Sequence, residues 1–286
     1  MQSVGPKKEV GLAYQGEGLE ISQTENYRVV RCEEGLCRED HHELIQEEPL
    51  LIRVEGRPYS VVMRTPGDEV PHAAGFCLGE GLVDDRNDFA AVGFCKELDP
   101  NVVEVTLKPE RREKVPEVIE RRGFISQTSC GICGKEMVED LYQIVRPVER
   151  TVRIGVNEVL RGVAKLSETQ AHYNRTRGSH AAMLLDPRLE ILSFAEDVGR
   201  HNALDKAIGK PLLNGDLTDA AMAVLSSRIS YELVQKAARA NLPIVVGKSR
   251  PTALAVEMGR ALNMTLVCSG ENSELIIFCG EERIKK

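Results

Sequence analysis

The chain has no tryptophan, and aromatic residues make up only 4% of its 286 positions. Proteins that hold single-stranded nucleic acid stack bases on aromatic rings, and that platform is scarce here. An excess of positive charge is missing as well. The formal net charge of −7 opposes general adhesion to nucleic acid or anionic lipid and leaves only local basic pockets open. Long hydrophobic runs are absent: the longest are of the kind Leu242-Pro243-Ile244-Val245-Val246-Gly247, far short of the ~20 apolar residues of a membrane helix. The opening stretch MQSVGPKKEVGLAY carries basic residues but no apolar segment, so it does not read as a secretory leader. These absences give the expectation of a cytoplasmic protein with neither membrane nor nucleic acid among its partners. Hydrophobic residues at 42% suffice for a packed core and exclude wholesale disorder.

Cysteine, by contrast, is plentiful, with eight residues. In a reducing compartment each needs a reason other than a disulfide. Cys77, Cys95, Cys268 and Cys279 sit in apolar periodic segments and are expected to be small buried core residues. Cys32 and Cys37 flank an acidic stretch followed by His41 and His42. Their spacing fits no standard zinc pattern, so solvated loop residues are expected there rather than metal ligands.

Cys130 and Cys133 differ. They lie in Gln127-Thr128-Ser129-Cys130-Gly131-Ile132-Cys133-Gly134-Lys135. The C-x-x-C spacing alone carries little, but its context adds to it. Gly131 and Gly134 let the backbone turn tightly around the sulfurs. A helix is expected from Lys135, and its first amides together with the Lys135 charge would stabilise a thiolate near neutral pH. Such a thiolate can attack a sulfur donor and then hold a persulfide. Other readings of the pair stay open. A zinc knuckle lacks its further ligands, and a thioredoxin-type site lacks its βαβ setting. A zinc deaminase would use His41-His42-Glu43 as H-x-E, but Ser129 stands where its P-C-x-x-C has proline. The pair can also be buried and inert.

Along the chain, residues 1–26 lack periodicity and are expected to be loose. Residues 27–115 read as a small α+β roll: a short strand at Tyr27 to Cys32, a hairpin of Pro49 to Val54 with Tyr59 to Arg64, a helix after Thr65-Pro66-Gly67-Asp68, and strands at Ala90 to Cys95 and Val102 to Leu107. His72 on that helix reads as structural or partly exposed. Residues 116–286 open with short helices near Pro116 to Arg122 and Lys135 to Ile144, then a longer one at Asn157 to Gln170 with Asn157 as N-cap. Strand and helix then alternate to the end. This predicts parallel strands with right-handed crossovers, hence a layered α/β domain and an α/β (α+β overall) fold class.

In such sheets ligands sit beyond the carboxyl ends of the strands, near helix N-termini. Those ends carry Ser226-Ser227-Arg228, Lys248-Ser249-Arg250 and Ser269-Gly270. Small hydroxyl residues beside Arg228, Lys248 and Arg250 suit an anion such as a diphosphate. The plain alternative is a set of polar loops with solvated charges. His201, which opens a helix after a glycine, can either face that ligand or only cap and pack.

Several stretches together resemble the formate dehydrogenase accessory sulfurtransferase family, FdhD/NarQ. They are Arg64-Thr65-Pro66-Gly67-Asp68, Gly75-Phe76 with Glu80-Gly81, Ser129 to Lys135, Glu196 to Lys206, Ser226-Ser227-Arg228 and Arg250-Pro251-Thr252-Ala253-Leu254-Ala255. They span residues 45 to 280, and the run D-V-G-R-H-N-A-x-D-K is the most specific of them. The resemblance implies a C-terminal domain of cytidine-deaminase-like architecture without deaminase chemistry. It implies sulfur transfer from a cysteine desulfurase to a molybdenum (or tungsten) bis-pterin guanine dinucleotide cofactor, ahead of its insertion into the formate dehydrogenase apo-enzyme. By the same analogy Cys130 carries the persulfide, Cys133 assists transfer, and the protein is a homodimer. A cofactor-contacting segment falls at Ser269, Gly270, Glu271, Asn272, Ser273 and Glu274. This chain departs from the family's expected aromatic and basic character there, so contacts through backbone amides around Gly270 are expected instead. The competing class is a non-catalytic chaperone that only holds the cofactor and delivers it.

Overall fold

The computed structural model describes residues 13–15, 22–94, 100–114, 116, 145–270 and 274–285. In chain order the strands are β1 (Ala13–Gln15), β2 (Thr24–Glu33), β3 (Leu36–Ile45), β4 (Glu48–Val54), β5 (Arg57–Arg64), β6 (Phe89–Phe94), β7 (Val102–Leu107), β8 (Ile154–Gly155), β9 (His180–Leu185), β10 (Ile191–Asp197), β11 (Met222–Leu225), β12 (Ile244–Gly247), β13 (Thr265–Ser269), β14 (Leu275–Cys279) and β15 (Ile284–Lys285). The helices are α1 (Glu69–Glu80), α2 (Pro109–Arg112), α3 (Val156–Thr169), α4 (Ala171–Thr176), α5 (Arg200–Asn214), α6 (Tyr231–Arg239) and α7 (Ala253–Ala261). The expected helix at Lys135 to Ile144, most of that at Pro116 to Arg122, and Cys95 lie outside the described residues.

Two sheets organise the molecule. One is five-stranded with order β1-β6-β7-β4-β5, the other six-stranded with order β10-β9-β11-β12-β13-β14. In the larger sheet β11, β12 and β13 are parallel, as the βα alternation predicts, and β9, β10 and β14 add antiparallel flanks. Period-2 alternation sorts its side chains between two cores. Ala223, Leu225 and Val245 face a cluster that also holds Leu50 and Ile52 of the smaller sheet and Val70, Ala73 and Ala74 of α1. Met222, Val224, Ile244 and Val246 face a second cluster with Val159 and Leu166 of α3. Strands buried on both faces read as continuous apolar runs, which is what Met222 to Leu225 and Ile244 to Val246 are.

Helix α1 is the pivot between the sheets. It is buried along its whole length except at Glu80, so it has no polar face. It ends where Gly81 turns left-handed and Leu82 N donates to Cys77 O at 2.9 Å, a Schellman-type stop. Its crossing with α5 depends on two glycines. A Cβ on Gly75 would lie 1.9 Å from Asp205 O, and one on Gly209 would lie 1.7 Å from Pro71 O. Neither neighbour is a flexible side chain, so only separation of the helices could relieve the overlap. Gly209→Ala is expected to cost at least ~3 kcal/mol of stability, the upper end for overpacking, read as a lower urea midpoint with unchanged slope. A midpoint within error of wild type would show that the helices separate freely.

Several elements differ from the sequence expectation. Ala13–Gln15, expected loose, pairs in parallel with β6. Cys32 and Cys37 are not loop residues: they face one another across a hairpin of ten-residue strands and form a disulfide. Left-handed Glu34 and Gly35 make its two-residue turn, the conformation that matches strand twist. The strand expected at Tyr27 to Cys32 is part of β2; its partner β3 was hidden because the hairpin buries neither face, so no hydrophobic alternation marks it. The N-cap of α3 is Gly155 rather than Asn157, and Glu158 Oε2 accepts from Gly155 N at 2.6 Å. His72 is fully buried, and neither ring nitrogen has a hydrogen-bond partner among the described residues. Burial, together with nearby Lys206, Lys236 and Arg64, holds its pKa well below the usual histidine value, so the ring is neutral.

Candidate functional site

Because β11, β12 and β13 run in parallel, their last residues Leu225, Gly247 and Ser269 share one sheet edge. Strand β9 runs against β11, which brings its first residue, His180, to the same edge. Strand β10 runs against β9 and pairs Asp197 with His180. Helices α5, α6 and α7 therefore all begin here, following β10, β11 and β12. Their free amides favour negative charge.

The run from Asp197 to Lys206 divides into an inward and an outward set. The inward set is a clamp. Asp197 is fully buried; its Oδ2 accepts from Thr65 N at 3.0 Å and lies 2.7 Å from Lys206 Nζ. Its Oδ1 accepts from Gly199 N at 2.8 Å and Asn202 Nδ2 at 2.9 Å. Lys206 Nζ donates to Thr65 O at 2.7 Å, and Val198 N donates to Thr65 Oγ1 at 3.0 Å. The turn entering α1 is thus fixed to the strand end that feeds α5. Arg64, itself fully buried, adds an ion pair to Glu69 at 3.0 Å and donates to Asn101 Oδ1 at 2.5 Å. Removing one partner of a buried pair leaves the other charge uncompensated. Asp197→Ala is therefore expected to destabilise the fold by about 3–5 kcal/mol, measurable by urea unfolding. An unchanged midpoint would mean that Lys206 finds another partner.

The outward set is Arg200 and His201. His201 Nε2 lies 2.7 Å from Glu232 Oε2 and 3.5 Å from Ser230 Oγ, joining the starts of α5 and α6. The hydrogen bond with His201 holds the Glu232 carboxyl below its ordinary pKa. Burial and the neighbouring Arg200 charge lower the pKa of His180, which favours its neutral ring. Arg200 Nε is buried and has no hydrogen-bond partner among the described residues. An orphaned guanidinium donor in this position is a group that a bound anion would satisfy.

The structure brings Arg228, Lys248 and Arg250 to this edge on adjacent loops, all three exposed. Lys248 Nζ also donates to Ser167 Oγ at 3.2 Å. Gly247 lets the two loops approach: a Cβ there would lie 2.8 Å from Ser249 O and 3.1 Å from Ser227 O. Thr252 Oγ1 accepts from Ala255 N at 3.3 Å and caps α7. Ser269 and Gly270 end β13 half-buried at the edge, and Gly270 N donates to Glu274 O at 2.8 Å, which closes the connection to β14. Cys130, Cys133, Glu271, Asn272 and Ser273 lie outside the described residues. The sequence reading missed Glu232. The signal for it was an acidic residue in the first turn of a helix opening at the same edge as His201.

Cys77, Cys268 and Cys279 are buried and free, and burial raises the pKa of each thiol. They are inert in the way that core cysteines are. Among the described residues no group of three or more His, Cys, Asp or Glu side chains is placed to hold a metal ion. His41 and His42 are exposed on β3. No helix among the described residues is long and apolar enough to cross a membrane.

Comparison with known proteins bears on the chain as a whole. The model of the FdhD/NarQ family matches residues 45–285. A protein of Streptomyces coelicolor named sulfur carrier protein FdhD is 35% identical over 271 residues, covering 91% of this chain and 95% of the relative. One of Bordetella bronchiseptica with the same name is 35% identical over 261 residues, covering 90% and 93%. A crystal structure of a Desulfotalea psychrophila protein, described as a formate dehydrogenase accessory protein, superposes with a TM-score of 0.74 at 22% identity. It covers 92% of this chain and all of that one, and so supports the fold alone. The family match and the identities over nine-tenths of the sequence agree, and the chain belongs to the FdhD/NarQ family.

Proposed function

We propose that this protein is a sulfur carrier that takes sulfur from a cysteine desulfurase and passes it to a molybdenum or tungsten bis-pterin guanine dinucleotide, the substrate, before formate dehydrogenase receives it. The relatives named sulfur carrier protein FdhD support the role, and Cys130 with Cys133 supplies the chemistry. The Cys130 thiolate attacks the outer sulfur of the desulfurase persulfide. The S–S bond of the donor breaks, the donor cysteine leaves as a thiolate, and the sulfur remains on Cys130 as a new persulfide. Cys133 assists its onward release.

The sheet edge is assigned to the nucleotide end of the substrate. The observation that carries this assignment is the buried, partnerless Arg200 Nε at an edge where three helices begin and where Arg228, Lys248 and Arg250 are exposed. Ser269 and Gly270 end the edge on the β13 side, but the Gly270 amide expected to meet the ligand is taken by Glu274 O, and the Glu274 carboxylate disfavours side-chain contacts to phosphate. A cytoplasmic location and a homodimer complete the reading.

Intact mass after incubation with a cysteine desulfurase and cysteine tests the carrier role. One added sulfur, removable by reductant, is the expected result. A protein that binds GDP yet never gains sulfur would instead be a chaperone that only holds and delivers the cofactor.

A further inference from the structure

The hairpin of β2 and β3 forms a two-stranded sheet of its own. Its paired residues run from Thr24↔Ile45 to Glu33↔Leu36. Only Thr24, Val29, Asp40, Glu43 and Ile45 are even half-covered. Near its base Gln23 Nε2 donates to Pro66 O at 2.7 Å and Arg175 pairs with Glu43 at 3.3 Å. Beyond that the ribbon stands in solvent, with Val30 67% and Leu36 81% exposed. At its far end the exposed Cys32 and Cys37 are joined by a disulfide across adjacent strands.

The bridge is a weak candidate for a structural staple. It spans a sequence separation of only 5, and cross-links that close short loops remove little entropy from the unfolded chain. The left-handed Glu34-Gly35 turn already fixes the register. The body of the protein packs its core without the ribbon: no residue of β2 or β3 belongs to either hydrophobic cluster. Accessibility, on the other hand, is high, while the free thiols of Cys77, Cys268 and Cys279 are all buried. Arg31 and Arg38 form the adjoining rung, and Arg31 pairs with Glu33 at 3.0 Å.

We propose that Cys32 and Cys37 are a thiol–disulfide exchange site, a second sulfur-chemistry pair in addition to Cys130 and Cys133, whose substrates are external thiols. An incoming thiolate attacks one sulfur of the bridge. The S–S bond breaks, a mixed disulfide forms on the attacked cysteine, and the other cysteine leaves as a thiolate and takes a proton. A second external thiolate attacks the outer sulfur of the mixed disulfide and releases the second cysteine. The bridge is reduced to two thiols, and two external thiols become one external disulfide. The reverse sequence closes the bridge with an external disulfide as oxidant. Small thiols and protein dithiols share this chemistry.

The test uses the full chain carrying Cys130→Ser and Cys133→Ser, so that the C-x-x-C pair cannot contribute. Native protein is incubated with excess reduced glutathione or with a reduced dithiol oxidoreductase, quenched in acid and alkylated, and the peptide containing residues 32 to 37 is weighed. Near-complete loss of the disulfide form is expected, with return on adding oxidised glutathione and no change in the thermal midpoint of the body. With Cys37→Ser added, oxidised glutathione should leave a single glutathione adduct on Cys32. Reduction by glutathione alone identifies a small-thiol substrate, and reduction by the oxidoreductase alone identifies a protein thiol. The proposal is overturned by a bridge that opens only in urea. It is equally overturned by two free thiols that no oxidised thiol converts to a bridge.

Discussion

Cys130→Ser protein is expected to leave formate dehydrogenase without activity while folding normally. The position lies in a polar, glycine-flanked stretch rather than an apolar periodic one, so the fold does not need its sulfur for packing. The relay does need it, because a serine hydroxyl can neither accept the outer sulfur of a persulfide nor hold it. The expected loss is therefore complete rather than graded. It is measured as formate oxidation in cells lacking the native accessory protein and supplied with the variant, with a urea midpoint confirming stability. Cys133→Ala should be harmful but milder, since the first sulfur is still loaded. Wild-type maturation by Cys130→Ser would remove the relay and leave the nucleotide site standing.

The second large effect is expected at the sheet edge. Arg228→Ala/Arg250→Ala protein should bind GDP two to four powers of ten more weakly, since each charge-assisted contact to phosphate contributes about 1.5–3 kcal/mol and the two losses add if independent. Wild-type affinity should also fall as salt rises, because exposed cations act through a screened Coulombic attraction. Calorimetry at low and moderate ionic strength reads both. Equal affinity for the two proteins would remove the diphosphate from this edge. Absence of GDP binding by folded wild type would do the same, and neither result touches Cys130.

How much of this was visible beforehand depended on burial. Segments that bury one or both faces announced themselves: Ala221 to Leu225 and Pro243 to Val246 as strands, seen at Met222–Leu225 and Ile244–Gly247, and Ile229 to Ala240 as a helix, seen at Tyr231–Arg239. The convergence of Arg228, Lys248 and Arg250 on one edge followed from parallel strand order alone. Of the β2–β3 ribbon only the strand at Tyr27 to Cys32 announced itself, because β3, exposed along most of its length, has no apolar period. A symmetric cue was present, with Cys32 and Cys37 spaced evenly about Glu34-Gly35. The division of labour in the Asp197 to Lys206 run was also illegible. Its letters mark a family, but only the fold separates Asp197 and Lys206, which grip Thr65, and Asn202, which holds Asp197, from His201, which turns to Glu232. Partners so far apart in sequence leave no local pattern.

The Thr65 clamp also sets an order of events in biosynthesis. Thr65 N and Asp197 are 132 residues apart, and Lys206 reaches Thr65 O across 141. A ribosome must therefore release the strand end at Asp197 and the first turns of α5 before the turn entering α1 can be locked. Until then α1, apolar almost all round, has no helix to cross at Gly75. Contacts of such long range make for slow folding and a prolonged exposure of apolar surface. Growing chains of this protein should therefore be clients of holding chaperones until synthesis has passed α5, and a pause placed before that point should be far more damaging than one placed after it.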